Sequence, residues 1–131
     1  MPKPQEPGTA RRALRVVVVD DDPVLVEVYK IALQQDYQVS GFSKPNQALD
    51  HLRGQGADIL VTDYTMPGLN GIELSRKAKA LNPGLKIMLI SGTFNMLMGK
   101  PQVVPDELVD HFMAKPFGVN DLLERCRRLE C

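Results

Sequence analysis

VVVVDDDP, residues 16–23, is the stretch on which the architecture turns. Four consecutive β-branched residues without polar alternation suit a strand of a parallel sheet, buried on both faces. Asp22 and Pro23 then open a helix. Aspartate is a natural N-cap, and proline is tolerated at the first helical position, where its missing N–H is no loss. Asp20 and Asp21 are left at the C-terminal end of the strand, with no local role to account for them.

Working outward, the pattern repeats. A helix is expected over residues 23 to about 34, with Leu25, Val28 and Ala32 on one face. Residues 37–42 read as a second strand, after which Ser43 caps a short helix carrying Ala48, Leu49 and Leu52. Gly54 and Gly56 mark a turn into a third strand, residues 59–62. The loop 63–71 leads into a helix over residues 72–81, with Ile72, Ala78 and Leu81 facing inward, and Asn82-Pro83-Gly84 stops it. Residues 86–90 form a fourth strand ending at Ser91-Gly92, and residues 111–113 a short fifth one. The last helix spans about residues 120–129, with Leu122, Cys126 and Leu129 as its inner stripe. Arg125, Arg127 and Arg128 sit near its negative end. Strands alternating with helices predict an α/β fold, a parallel sheet covered by helices on both faces.

Two segments break the rhythm. Residues 1–13 contain Pro2, Pro4, Pro7 and Gly8 and read as a flexible tail, which leaves residues 14–131 as the one domain. Between Ser91 and residue 111, Gly99, Pro101 and Pro105 cannot share one continuous helix. The helix there is expected to be broken or shortened, restarting at Pro105 with Asp106, Glu107 and Leu108. Met96, Leu97 and Met98 read either as core packing or as an adaptable docking patch.

Composition narrows the function classes. The chain has 131 residues, with 16 Lys plus Arg balanced by 16 Asp plus Glu, so no basic excess favours nucleic acid or anionic lipid. Its longest apolar runs are far shorter than a bilayer requires, and the opening residues have no apolar stretch that could serve as a secretory signal. A cytoplasmic protein with neither a nucleic-acid nor a membrane partner is expected. Cys126 and Cys131, five positions apart on a helix, would point to different faces and read as free thiols.

Right-handed crossovers put every strand's C-terminal end on one edge, where sites in such sheets lie. Asp20 and Asp21 stand there after the first strand, Asp63 after the third, Ser91 after the fourth and Lys115 after the fifth. If the first and third strands are neighbours, three carboxylates converge and need a cation to be tolerated. An oxygen-only cluster suits a hard ion, Mg²⁺ or Mn²⁺. Lys115 fits a second cation facing a bound or covalent anion, to which Ser91 offers a donor. Taken singly, Asp63 could serve an Asx-turn, Ser91-Gly92 an ordinary turn and Lys115 the solvated surface.

Together these motifs resemble the receiver domains of two-component response regulators (CheY-like), over about residues 14–130. Asp20-Asp21, then Asp63 with Met66-Pro67-Gly68 and Gly71, then Ser91-Gly92, then Lys115-Pro116-Phe117 appear in the family's order. The resemblance implies a doubly wound, five-stranded sheet of flavodoxin-like order 2-1-3-4-5. It implies that Asp63 is the phosphoacceptor, taking a phosphoryl group from a sensor histidine kinase or a histidine phosphotransfer protein. Asp20, Asp21, Asp63 and the backbone carbonyl of Thr65 would hold Mg²⁺. Lys115 and Ser91 would bind the phosphoryl group, and Ser91 with Phe112 would act as the switch of a partner-docking surface. Phe112 lacks the phenolic hydroxyl often found at its position. The Lys115–Pro116 bond is expected to be cis, and Thr65 and Thr93 stand where the family tunes dephosphorylation. The chain is expected to be the single-domain form, not an enzyme beyond its own phosphorylation and dephosphorylation.

Three other readings compete. A Mg²⁺-dependent phosphohydrolase working through an aspartyl phosphate typically has a second acid two residues after its nucleophile, where Thr65 stands here. A flavodoxin-like cofactor binder would need a phosphate-binding loop after the first strand, and none is present. A receiver used only as a scaffold would have no need of the intact acids and lysine.

Overall fold

The computed structural model describes residues 14–92, 108–115 and 117–130. Five parallel strands, β1 (Arg15–Val19), β2 (Gln38–Phe42), β3 (Ile59–Asp63), β4 (Lys86–Ser91) and β5 (His111–Ala114), form one sheet in the order 2-1-3-4-5. Four helices accompany them among the described residues: α1 (Pro23–Leu33), α2 (Pro45–Gly54), α3 (Gly71–Leu81) and α4 (Val119–Glu130). The expected tail, the broken helix with Met96, Leu97 and Met98, Thr93, Pro116 and Cys131 all lie outside the described residues.

The alternation of side chains along each strand divides the core in two. Val17, Val19, Leu60, Ile87 and Leu89 point to one face, where Ala48, Leu49 and Leu52 of α2 and Ile72, Leu74 and Ala78 of α3 cover them. Val16, Val18, Ile59, Val61, Met88 and Ile90 point to the other, under Tyr29 and Leu33 of α1 and Leu122, Cys126 and Leu129 of α4. Both faces are thus apolar, which is why the strands read as unbroken hydrophobic runs.

Three sequence expectations are corrected. In α1 the inner stripe is Val26, Tyr29, Ala32 and Leu33, while Leu25 is half-buried and Val28 is 38% exposed. The helix is apolar on nearly all sides, so periodicity cannot choose its rotation, and packing against the sheet does. In α2 the N-cap is Lys44, without a side-chain cap, rather than Ser43. Pro45 starts the helix and forces the residue before it into the extended region, where Lys44 sits at φ −128°, ψ 125°. Leu81 of α3, expected inside, is 45% exposed, because it ends the helix one turn past Ala78, the last residue over the core.

Asp22 and Pro23 start α1 as the sequence predicts, the Asp22 side chain accepting from the Val24 N–H at 2.9 Å. The α3 start is stronger than expected, a reciprocal capping box in which Asn70 and Glu73 each accept the other's backbone N–H.

Candidate functional site

β1 is flanked by β2 on one side and β3 on the other, so the chain leaves β1 in both directions across the sheet. A crevice opens at such a reversal. Val19 pairs with Thr62 in register, so Asp20 and Asp63, each one residue further on, emerge side by side. Asp20 is fixed by its own N–H donating to the Phe42 carbonyl at 3.2 Å and by its carboxylate accepting from the Asp22 N–H at 2.9 Å. Asp20 and Asp63 are buried and Asp21 is exposed, yet the three offer carboxylate oxygens within 4.8 Å of one another. Among the described residues this is the one acid, His or Cys cluster of metal-binding size. Its donors are all oxygen, which fits a hard divalent cation and not zinc.

β4 and β5 complete the rim. Asp63 pairs with Ile90 and Ser91 pairs with Ala114, which brings Lys115 level with the acids. The Lys115 N–H donates to the Ser91 carbonyl at 2.8 Å. Its ammonium reaches across β4 and β3 to lie 3.2 Å from Asp20 Oδ2 and 3.4 Å from Asp63 Oδ1. Ser91 is fully buried, and its hydroxyl has no hydrogen-bond partner among the described residues. A buried hydroxyl without a partner is costly, and here it belongs to the residue that ends β4 at this rim and whose carbonyl accepts from the Lys115 N–H.

The electrostatics follow from this crowding. Burial raises the Asp63 carboxyl, and Asp20 adds to the shift; Lys115 opposes both, and the result is about 6. Asp20 is raised for the same leading reason, burial, against the pull of Lys115 and of its hydrogen bond to Asp22. Burial pulls the Lys115 ammonium down, but the charges of Asp20 and Asp63 outweigh it and hold its proton more firmly than usual. Among the described residues, Asp20 and Asp63 thus share the ammonium of Lys115.

Around this centre, the loop after β3 is pinned from within. The Tyr64 N–H donates to the Ile90 carbonyl at 2.7 Å, the Gly71 N–H to the Tyr64 carbonyl at 2.9 Å, and Met66 is buried in the core. A Cβ on Gly71 would lie 2.2 Å from the Asp63 carbonyl oxygen, so only glycine lets α3 begin this close behind the acid. Thr65 is exposed two residues past Asp63. A cleft of about 670 Å³, lined by Asp21, Ser43, Lys44, Pro45, Pro67 and Leu69 among others, opens beside Asp21. Phe112 is half-buried against the core, and Arg125 of α4 donates to its carbonyl at 3.3 Å.

The expected residues Asp20, Asp21, Asp63, Ser91 and Lys115 therefore meet at one rim, while Phe112 stands apart from the acids on β5. Sequence reasoning passed over Tyr29. Burial raises its phenol, and the charges of Asp20, Asp63 and Asp22 add to the effect, so its ring lies within the field of the cluster. No local pattern marks it, because a tyrosine at helical spacing reads as ordinary core.

Comparison with known proteins agrees in kind. The family described as "Response regulator receiver domain" matches residues 16–127. The C4-dicarboxylate transport transcriptional regulatory protein DctD of Rhizobium meliloti is 35% identical over 116 residues, covering 88% of this chain and 25% of that protein. The response regulator receiver protein CpdR of Brucella abortus is 29% identical over 116 residues, covering 88% of this chain and 95% of that protein. The chain spans about half the length of several further relatives. The crystal structure of a CheY-like receiver domain protein from Methanospirillum hungatei superposes with a TM-score of 0.78 at 25% identity, covering 91% of this chain and 95% of that one.

Proposed function

Because the chain belongs to the response regulator receiver family, we propose that it is the phosphoacceptor of a cytoplasmic two-component relay, with Asp63 taking a phosphoryl group from a histidine kinase or a histidine phosphotransfer protein. The observation that carries this reading is the Lys115 ammonium held on both Asp20 and Asp63 at the rim where β4 ends in Ser91, whose buried hydroxyl has no partner among the described residues. A cation already paired with the buried carboxylates and an unpartnered buried donor at the same rim suit a phosphoryl group formed on Asp63.

The residues account for the chemistry. With an ionisation midpoint of about 6, Asp63 is mostly carboxylate at neutral pH and needs no general base. One of its oxygens attacks phosphorus as the P–N bond to the donor imidazole breaks and that bond's electron pair returns to the ring nitrogen. Lys115 donates to one phosphoryl oxygen and Ser91 turns its hydroxyl to another. Asp20, Asp21 and Asp63, with the Thr65 carbonyl, would hold Mg²⁺ or Mn²⁺, which when bound neutralises charge on the transferring group. The new oxygens beside Ser91 then bias the surface that includes Phe112.

Incubation with a small phosphodonor, with and without Mg²⁺, followed by intact-mass measurement, tests the reading. A Mg²⁺-dependent gain of one phosphoryl group, absent in Asp63→Asn, is expected. A gain that persists in Asp63→Asn overturns the assignment. No gain at all points to a scaffold, and steady phosphate release from organic monoesters to a hydrolase.

A further inference from the structure

Lys115 does its work at the end of a long, flexible side chain just past the edge of the sheet. Its backbone N–H bonds to the Ser91 carbonyl, and Phe117 lies two residues on. Phe117 is partly buried, and its ring stacks on that of Tyr29, with centroids 5.7 Å apart and planes at 22°. Tyr29 is itself held in the core on the inner stripe of α1, beside Leu33, Leu122 and Cys126. Two residues of extended chain span at most about 7 Å, so a shift of the Phe117 ring is passed to the Lys115 backbone. The Asp20-Asp21-Asp22 turn leads directly into α1, so the helix that follows the acids also carries Tyr29, the seat for Phe117.

We propose that Tyr29 is a positioning residue which, through its stack with Phe117, holds Lys115 over the Asp20–Asp63 pair. An aromatic pair of this geometry resists sliding more than an aliphatic contact of equal area, because ring edges and faces carry opposite partial charge. The phenol oxygen is secondary, since it is the ring that makes the contact. The proposal rests on reading Asp63 as the phosphoacceptor only for its kinetic arm. Its second arm does not: an ammonium 3.2 and 3.4 Å from Asp20 and Asp63 opposes binding of a divalent cation by the same carboxylates, so loosening Lys115 tightens that binding.

The experiment compares Tyr29→Phe and Tyr29→Leu, each in the natural and the Lys115→Ala background, with folding checked by circular dichroism. Mg²⁺ affinity is read by calorimetry and the phosphorylation rate by intact mass. Tyr29→Leu is expected to slow phosphorylation about three- to tenfold through misplacement of the cation, and to tighten Mg²⁺ binding about twofold. Tyr29→Phe, which keeps the ring, leaves both within about twofold of the natural protein. In the Lys115→Ala background Tyr29→Leu has no further effect, because the group it positions is gone. Equal effects of Tyr29→Leu in both backgrounds, or none in either, overturn the proposal. Should Tyr29→Leu fail to fold, Phe117→Leu removes the same stack from its exposed side and carries the same expectations. If the natural protein takes up no phosphoryl group, the reading of Asp63 fails, and the Mg²⁺ titration still decides the role of Tyr29.

Discussion

At Asp63, burial and the neighbouring Asp20 together outweigh an ammonium 3.4 Å away, leaving the carboxyl at about 6. A raised carboxyl destabilises the fold wherever it is ionised. Below about pH 4 the group is protonated in folded and unfolded chains alike and costs nothing. Between about pH 4 and 6 the unfolded chain ionises while the folded one keeps its proton, so the cost builds up over that range and is full above about 6. Asp63→Asn is therefore expected to stabilise the divalent-free protein by about 1–3 kcal/mol at neutral pH. The gain should vanish near pH 4, as urea unfolding at several pH values would show. Ser91→Ala makes a different point. Its hydroxyl has no partner, so its removal is expected to change stability by no more than about 1 kcal/mol. The spectral difference between unphosphorylated and phosphorylated protein should nevertheless shrink, because the donor that senses the new group is lost. A large loss of stability in Ser91→Ala would show that the hydroxyl is bonded after all.

Among the elements, α3 and α1 bear most directly on the site. The Asn70–Glu73 box fixes where α3 begins, and Asn70→Ala is expected to cost about 1 kcal/mol in thermal or urea unfolding. Gly71→Ala is more severe: its methyl would collide with the Asp63 carbonyl, costing about 1–3 kcal/mol and displacing the acid. A phosphorylation rate that falls more than the loss of stability explains would mark that displacement. On α1 the outward stripe of Val24, 69% exposed, and Ile31, 68% exposed, lies mostly in solvent, so charge there should leave stability nearly unchanged. If this stripe beside the acids meets the proposed histidine-bearing donor, Val24→Glu slows transfer from that protein while sparing a small phosphodonor. Equal rates with both donors would place docking elsewhere.

The whole molecule is a sheet with two apolar faces and one polar edge. Both core clusters cross the sheet from strand to strand, so the rim that holds Asp20, Asp63 and Lys115 is anchored by nearly all the buried surface. Among the described residues no helix is long and apolar enough to cross a membrane. A divalent cation bound by Asp20, Asp21 and Asp63 would stabilise the folded state alone, by about 2.7 kcal/mol at a hundred times its Kd. Thermal unfolding should shift upward with Mg²⁺, return on chelation, and respond little in Asp20→Asn. The alternation of strands and helices over the described residues, and the residues that stand at each strand end, were legible in the sequence. Proline, glycine and capping residues act on their immediate neighbours, and an unbroken β-branched run signals a strand covered on both sides. Tertiary structure alone decided which side of α1 faces inward, since Val24, Val28 and Ile31 are as apolar as Val26, Tyr29 and Leu33. It alone set Lys115 between two acids, left the Ser91 hydroxyl unpartnered and stacked Tyr29 on Phe117. These depend on strand order, register and packing between segments far apart in the chain, to which local periodicity carries no reference.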